Sequence, residues 1–236
     1  MEEKLTGLVL SKTDYGENDR IVKIFTLEKG TISAALKGVK KAGAKLKFAS
    51  EPFCFAEFTF SERLGRRTVT GASLNDSFYP LRADVTKYFA AGTAIEFIRC
   101  FAKENITSPT LFFSAINCLK EMAYGSVLPR RALANFLIVA LKVSGYALNL
   151  DGCFVCGKEL KGRVFFESMS GGFTCDGCFN GEGREINFAT YNALNKLENG
   201  EDVSEEETVF ALRLLDFYIK NKTEEKLLSL QELLKF

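Results

Sequence analysis

Short apolar runs separated by glycine-containing turns fill residues 1–80, and this pattern is typical of β-strands. The runs lie at 5–12, 20–27, 31–36, 52–60 and 66–74. Side chains of a strand point alternately to its two faces. In the fourth run Phe53 and Phe55 fall in one phase of this alternation and Phe58 and Phe60 in the other, which predicts a β-bulge that bends the strand. Five short strands rich in β-branched and aromatic residues predict a closed barrel of the OB-fold type, with a small sandwich or an SH3-like barrel as the alternative.

From Leu81 onward the apolar residues recur every three or four positions, which is the period of an amphipathic helix. A first helix is predicted over 85–102. A Ser-Pro pair predicts the start of a second helix over 108–122. A third helix is predicted over 129–144, with Pro129 at its start and Gly145 at its end. We interpret the apolar stripes of these helices as core.

The C-terminal part of the chain is also predicted to be helical. Residues 188–197 form a short helix, and Ser204 with Glu207 has the spacing of a capping box before another. Leucines at 223–234 predict a last helix. The stretch 198–207 carries six acids and no base, and we interpret it as a solvated loop and helix N-terminus, where glutamate is favoured.

Two CxxC pairs, Cys153 with Cys156 and Cys175 with Cys178, lie between the predicted helices and are separated by 18 residues. The intervening RVFFE and GGFTC segments predict a short hairpin. Two such knuckles can bring four sulfurs around one tetrahedral ion, as in a zinc ribbon. Because the chain has no histidine, an all-protein zinc site here must use four cysteines and be structural.

Two disulfides or a thioredoxin-like redox motif are the alternatives to a zinc site. The 47% hydrophobic content and three further cysteines, Cys54, Cys100 and Cys118, suit a reducing compartment, where a doubled CxxC more often binds metal. A redox CxxC opens a helix after a strand in a βαβ unit, and no such unit is visible in the sequence. We therefore expect one structural Zn²⁺ ion.

These patterns predict an α+β multidomain protein. A five-stranded OB-fold β-barrel is expected over 1–80, a helical domain over 81–150 and 185–236, and an inserted four-cysteine zinc-ribbon module over 151–184. No apolar run approaches the roughly 20 residues that span a bilayer, and the acidic start lacks the basic region of a signal peptide. We expect a cytoplasmic protein.

Charge is unevenly distributed, although the net charge is only +1. The stretch 37–47 contains no acid and five lysines, which are Lys37, Lys40, Lys41, Lys45 and Lys47. Arg63, Arg66 and Arg67 fall in the predicted turn between the last two strands. On an OB-fold both loops could flank one face, where these cations contact phosphates and Tyr15 stacks on bases. The alternative is that the lysines only solubilise a loop.

Enzymatic chemistry has little support in the sequence. Histidine, the usual general base, is missing, and neither G-x-x-x-x-G-K-[ST] nor G-x-G-x-x-G is present. We expect a binding protein rather than an enzyme. A zinc-ribbon RNA-binding or ribosome-associated factor, a carboxylate-dependent nuclease and a protein-bridging adaptor are the alternatives.

Four stretches resemble the RecO family of bacterial DNA repair and recombination mediators. They are G-x-V-L-x-x-x-D-Y-G-E-N-D-R-I-V at 7–22, G-x-I-S-A-x-x-K-G-x-K-K at 30–41, L-K-F-A-S-E-P-F at 46–53 and G-Y-A-L-N-L-D-x-C-x-x-C-G at 145–157. The second CxxC follows at the distance found in the family. The stretches occur in the family's order and together cover most of the chain.

The resemblance implies an N-terminal OB-fold, a helical domain and a four-cysteine zinc module, without cofactor turnover. It also implies a nucleoid-associated protein that binds single- and double-stranded DNA, anneals complementary strands and works with RecR. Such a protein docks on the acidic, apolar C-terminal tail of single-stranded DNA-binding protein and helps to load RecA. Lys37, Lys40 and Lys47 match the family's basic-loop positions, and Arg130 and Arg131 lie near the region that would receive the tail.

Overall fold

The computed structural model describes residues 2–236, which form a β-barrel, a helical body and a small three-stranded module. The barrel strands are β1 (Glu2–Tyr15), β2 (Asp19–Thr26), β3 (Gly30–Leu36), β4 (Phe55–Arg63) and β5 (Arg66–Asp76). They close in the order β1-β2-β3-β5-β4, with β4 paired back to β1. All of these pairs are antiparallel except β3 with β5. The predicted five-stranded OB-like barrel is therefore confirmed.

The helical body is built from α-helices on both sides of the three-stranded module in the sequence. The helices are α1 (Val85–Phe101), α2 (Pro109–Tyr124), α3 (Pro129–Val143), α4 (Phe188–Glu198), α5 (Glu205–Thr223) and α6 (Leu228–Leu233). The module contains β6 (Val164–Glu167), β7 (Gly172–Cys175) and β8 (Arg184–Ile186), in the order β7-β6-β8. Within residues 2–236, no helix combines the length and the apolar character needed to cross a membrane.

The strands β1 and β2 carry apolar residues on both faces because both faces are covered. Inward residues such as Val9 and Ile24 belong to the barrel interior, whereas Leu8 and Phe25 belong to the core of the helical body. The ring of Phe25 lies 5.5 Å from that of Phe112 on α2, centroid to centroid. Burial on two sides explains why the apolar residues of these strands alternate only imperfectly in the sequence.

The strand β4 begins at Phe55, later than predicted, and the predicted bulge lies elsewhere. Phe53 precedes the strand with a φ of 69° and is buried in the helical-body core. Phe58 and Phe60 face the barrel interior. Phe55 lies on the opposite face of β4 and packs against the helical body, so the change of phase in the sequence reflects a strand that is covered on both faces. The register shifts of the β4–β5 pair place the additional residues on β5.

The predicted start signal of α5 is present, whereas the final helix begins later than predicted. The hydroxyl of Ser204 accepts a hydrogen bond from the Glu207 backbone N–H, and the Glu207 carboxylate accepts one from the Ser204 backbone N–H, so the capping box is confirmed. The predicted helix over 223–234 is wrong in its first part. Because α5 continues to Thr223 and Glu224 then takes a left-handed φ of 63°, the final helix is only α6.

A close backbone contact joins the barrel to the helical body. Gly30 has a φ of 65°, and a Cβ at this position would lie 2.1 Å from the carbonyl oxygen of Ile106. The backbone of Thr31 bonds to the same segment, donating to the Lys103 carbonyl at 3.4 Å and accepting from the Asn105 N–H at 3.4 Å. Only glycine fits a contact this close.

Candidate metal centre and nucleic-acid interface

The four predicted cysteine ligands converge on one point in the three-stranded module. The Sγ atoms of Cys153, Cys156, Cys175 and Cys178 all lie within 4.8 Å of one another. The Sγ atoms of Cys156 and Cys175 are 3.9 Å apart. Metal–sulfur bonds of about 2.3 Å in a tetrahedral zinc site place the sulfurs about 3.8 Å apart. The donor set and its spacing therefore fit a single tetrahedral ion.

Local backbone hydrogen bonds shape the first knuckle and fasten it to β7. The Cys153 N–H donates to the Lys158 carbonyl at 2.9 Å, and the Gly157 N–H donates to the Cys153 carbonyl at 2.8 Å. Gly157 adopts a φ of 69°, which closes the turn. The Phe154 N–H donates to the Phe173 carbonyl at 2.9 Å. Because β7 leads directly into the second knuckle, this bond brings the two cysteine pairs together.

The pKa values of two of the four thiols are shifted in opposite directions. Hydrogen bonds with Cys156 and Cys175 raise the pKa of the Cys178 thiol to about 12. At Cys153 burial raises the pKa, but backbone N–H groups at Cys175, Cys156 and Val155 outweigh this effect and bring the pKa to about 6. Four thiolates at these distances would repel one another strongly. The cluster therefore suits a cation that neutralises the sulfurs, since a coordinating thiol is deprotonated.

An arginine with two acidic partners lies next to the cluster and was missed in the sequence. The guanidinium of Arg163 contacts Asp176 of the second knuckle at 3.1 Å and Glu185 of β8 at 3.0 Å. It also lies over the ring of Phe165, which stacks on Phe179 at a centroid distance of 3.8 Å. Arg163 is largely exposed, so these ion pairs position the knuckle and add little stability.

The three-stranded module, called the ribbon from here on, docks on the helical body through aromatic residues. The ring of Phe166 lies 5.7 Å from that of Tyr218 on α5, and the ring of Phe173 lies 5.1 Å from that of Tyr191 on α4. The hydroxyl of Tyr191 donates to the carbonyl of Leu150 at 2.9 Å. The ribbon thus shares the core of the helical body.

The β1–β2 turn region, the end of β3 and the β4–β5 hairpin together line a groove of about 870 Å³ on the barrel, which we call the basic groove. Four residues predicted to bind nucleic acid line it: Lys37, Arg63, Arg66 and Arg67. Tyr15, the predicted stacking residue, also lines it and is 62% exposed. Among the ion pairs of residues 2–236, none involves Lys37, Arg63 or Arg66. These three cations are therefore available to an anionic ligand.

The backbone after Lys37 is held firmly against the barrel. Gly38 has a φ of 66° and its N–H donates to the Asp19 carboxylate at 2.7 Å. The Lys40 N–H donates to the Asn18 carbonyl at 3.0 Å. The side chain of Val39 is buried in the barrel interior. These contacts fix the side of the basic groove that carries Lys37.

The other predicted lysines lie outside the basic groove. Lys41, Lys45 and Lys47 are exposed further along the loop and do not line the groove. The Lys40 ammonium lies 2.9 Å from the Asp14 carboxylate, and its hydrogen bond lowers the pKa of Asp14. The structure therefore divides the lysine-rich stretch into one groove-lining residue, one ion-paired residue and three peripheral ones.

Arg130 and Arg131, the residues predicted to bind a partner, form ion pairs within the chain. Arg130 contacts the Glu205 carboxylate at 2.7 Å, and Arg131 pairs with Asp202. Their side chains are mostly buried. They fasten the start of α3 to the acidic stretch 198–207, which contains, as predicted, a solvated loop and a helix N-terminus: Asp202 is 92% exposed in the loop and Glu205 begins α5.

Comparison with known proteins identifies both parts of the chain. The family model described as Recombination protein O N terminal matches residues 1–78, and the model described as Recombination protein O C terminal matches residues 82–231. Similar proteins include "DNA repair protein RecO" of Anaeromyxobacter sp. (strain K), which is 34% identical over 202 residues covering 84% of this chain and 79% of the relative.

Two further relatives with the same name extend this result. The protein of Clostridium perfringens (strain 13 / Type A) is 30% identical over 193 residues, which cover 82% of this chain and 78% of the relative. The protein of Clostridium novyi (strain NT) is 27% identical over 238 residues, which cover 97% of this chain and 92% of the relative. The resemblance seen in the sequence is confirmed, and the chain belongs to the RecO family of DNA repair proteins.

Proposed function

We propose that this protein is a recombination mediator of the RecF type of repair pathway, which binds single- and double-stranded DNA and anneals complementary strands. Its membership of a DNA repair family supports the general role. The finer proposal rests on the basic groove, where Lys37, Arg63, Arg66 and Arg67 line one surface. A concentration of cations on an OB-like barrel is suited to a nucleic-acid backbone.

The proposed mechanism of annealing is electrostatic. Two DNA strands repel each other because each carries a charge at every phosphate. Cations in the groove hold one strand and reduce the charge that the second strand meets. Contacts of this kind release counterions and carry no sequence information, so the affinity should be insensitive to sequence and should fall steeply with salt.

For the four-cysteine cluster we propose one structural Zn²⁺ ion held by Cys153, Cys156, Cys175 and Cys178. The sulfur separations described above support a tetrahedral thiolate site. Bound zinc would supply coordination bonds that link the two knuckles, which is folding energy rather than reactivity. Four protein ligands leave no position for a reacting water, and we propose that the protein acts by binding and not as an enzyme.

We extend the proposal to protein partners: RecR, the C-terminal tail of single-stranded DNA-binding protein and, through them, RecA. A groove of about 540 Å³ between α2 and α3 presents the half-exposed side chains of Phe113 and Val139, which suits the apolar end of such a tail. Arg130 and Arg131 lie at the start of α3, where acidic tail residues would compete with their internal partners. Work on chromosomal DNA would place the protein in the cytoplasm at the nucleoid.

The proposal is tested by the rate at which two complementary labelled oligonucleotides anneal. We expect Lys37→Glu/Arg66→Glu to slow annealing at least about tenfold, because it reverses two cations of the groove. The matched control is Lys45→Glu/Lys47→Glu, which makes the same change of charge outside the groove. Equal rates for the wild type and the groove variant would overturn the proposal, and a marked preference for RNA strands would favour the ribosome-associated alternative.

A further inference from the structure

The tip of the β4–β5 hairpin contains a leucine in an unfavourable backbone conformation. Arg63 and Arg66 pair across the end of the two strands, so the turn consists only of Leu64 and Gly65. Their φ angles are 51° and 72°, and positive φ at both positions is the pattern of a type I′ turn. Asparagine, aspartate and glycine are favoured at the first position, whereas a leucine there costs about 1–2 kcal/mol.

The side chain of Leu64 gains no burial that would offset this cost. It is 93% exposed, more than any other large apolar side chain in residues 2–236. Phe53 and Phe78 also adopt positive φ, at 69° and 46°, but both are buried and their packing offsets the strain. At Leu64 both the backbone conformation and the exposure work against folding and solubility. The turn requires the positive φ but does not require a leucine, so a strained and exposed leucine at this position points to function.

The surroundings of Leu64 identify what it would contact. It lines the basic groove between Arg63 and Arg66, and the exposed side chains of Tyr15 and Ile21 line the same groove. Cations that attract phosphates are thus interleaved with apolar groups that suit the faces of bases. A duplex buries its base faces by stacking, whereas a single strand exposes them. Apolar side chains, leucine among them, are known to insert between base steps.

We propose that Leu64 contacts unpaired bases directly and makes the basic groove select single strands over duplexes. This inference rests on the proposed function, in which the groove binds DNA. Arg63 and Arg66 hold phosphates on either side, and Leu64 packs against or between the bases that these phosphates carry. Duplex DNA meets only the cations. The residue therefore confers selectivity for the state of the strand rather than for its sequence.

Fluorescence anisotropy with three labelled probes of equal length tests the inference: a single strand, the same strand without bases and a duplex. The variant is Leu64→Asn, because asparagine suits the positive φ and should leave the unfolding midpoint unchanged or higher. We expect its affinity for the single strand to fall about tenfold, the scale of one lost base contact. Affinity for the abasic strand and the duplex, and the salt dependence, should not change.

Two further variants serve as controls, and a third repeats the test. Leu228→Asn removes a leucine that is 61% exposed on α6, outside the basic groove, and should bind all three probes like the wild type. Leu64→Phe should keep the preference for base-bearing strands because an aromatic ring also stacks on bases. Leu64→Gly, which also permits the positive φ, repeats the test if the asparagine variant is unstable.

The outcomes separate the inference from the proposed function. Equal losses on base-bearing and abasic strands, or an unchanged affinity for the single strand, would overturn the role of Leu64 and leave DNA binding by the groove intact. Failure of the wild type to bind any of the probes would overturn the proposed function and the inference together.

Discussion

The barrel and the ribbon are stabilised in different ways. The barrel encloses an interior of its own, which contains large buried residues such as Ile24, Phe58 and Phe60. The ribbon has strands of only three or four residues, and its largest buried residues, Phe166 and Phe173, belong to the core of the helical body. The barrel is therefore stable enough to support a binding site on its surface. The ribbon, in contrast, depends for its stability on packing against the helical body and on its cysteine cluster.

This difference predicts how mutation or loss of the metal should affect each of the two sites. Disrupting a site that stabilises the fold should lower the free energy of unfolding. Disrupting a site on an already stable barrel should instead lower the affinity for its ligand. Removing the metal should thus destabilise the protein while the basic groove keeps its affinity.

Loss of the metal is expected to have the largest effect on stability. Cys175→Ser, or treatment of the wild type with a strong chelator, should lower the free energy of unfolding by about 4 kcal/mol or more, because the ribbon lacks a core of its own. Thermal unfolding midpoints, with zinc content measured on the same samples, check this. Single-strand affinity should fall only secondarily at temperatures where the protein stays folded.

A matched cysteine variant sharpens this prediction. Cys100 is exposed and lies outside the cluster, so Cys100→Ser should change neither zinc content nor the unfolding midpoint. Identical midpoints with and without chelator would contradict a stabilising metal. A loss of DNA affinity as large as the loss of stability would contradict the independence of the basic groove.

The contact between the barrel and the helical body should produce the next largest effect. Gly30→Ala places a Cβ against the carbonyl of Ile106 and forces the two parts apart, which should cost about 3 kcal/mol of unfolding free energy. Gly16→Ala is the control, because Gly16 also has a positive φ but no atom within 4 Å of the added Cβ. This substitution should lower the free energy of unfolding by only about 1–2 kcal/mol, which is the cost of placing a Cβ on a backbone with positive φ. Equal costs measured by urea unfolding would show that the interface does not require the close approach.

The smallest effect concerns α5, the helix on which Phe166 of the ribbon docks. Ser204→Ala removes one half of the capping box and should cost about 1 kcal/mol. Hydrogen bonds from the Ser204 backbone and side chain, and then from Lys196, lower the pKa of Glu207. Its contribution is therefore present above the ordinary carboxyl pKa of about 4.3 and is lost as the pH falls through the lowered value.

Chemical unfolding of the wild type and of Glu207→Gln at neutral and at acidic pH checks the direction in which the contribution of Glu207 to stability changes with pH. The wild type should be more stable at neutral pH, and the difference should shrink as the pH falls through the lowered pKa of Glu207 and the carboxylate takes up a proton. A difference that persists in acid would mean that Glu207 contributes through packing and not through its charge.

The cysteine cluster could be predicted from the sequence because its geometry is local. Each CxxC forms its own knuckle, and a single hairpin brings the two together. The barrel and most helices were predicted for a similar reason, since period and turn residues report local structure. β8 was missed because three residues, Arg184–Ile186, are too few to establish an alternating pattern.

The basic groove could be predicted only in part because it is assembled from distant segments. The sequence identified the cations, but the burial of Val39 and the bond from Gly38 to Asp19 decide that Lys37 faces the groove and Lys45 does not. Leu64 was missed because its residue type predicts burial, and the one available signal was its place beside a glycine in a two-residue turn. Long-range packing, rather than local pattern, determines which of these side chains reach a ligand.

If the phosphate contacts lie in the basic groove, the salt dependence of single-strand binding should depend on the cations of that groove. Fluorescence anisotropy should be measured over a range of salt concentrations for the wild type, Lys37→Glu/Arg66→Glu and Lys45→Glu/Lys47→Glu. We predict that the logarithmic salt slope of the groove variant flattens by roughly 0.7 for each lost contact, while the peripheral variant keeps nearly the wild-type slope. Equal slopes for the two variants, or a groove variant that binds like the wild type, would place the phosphate contacts outside the basic groove.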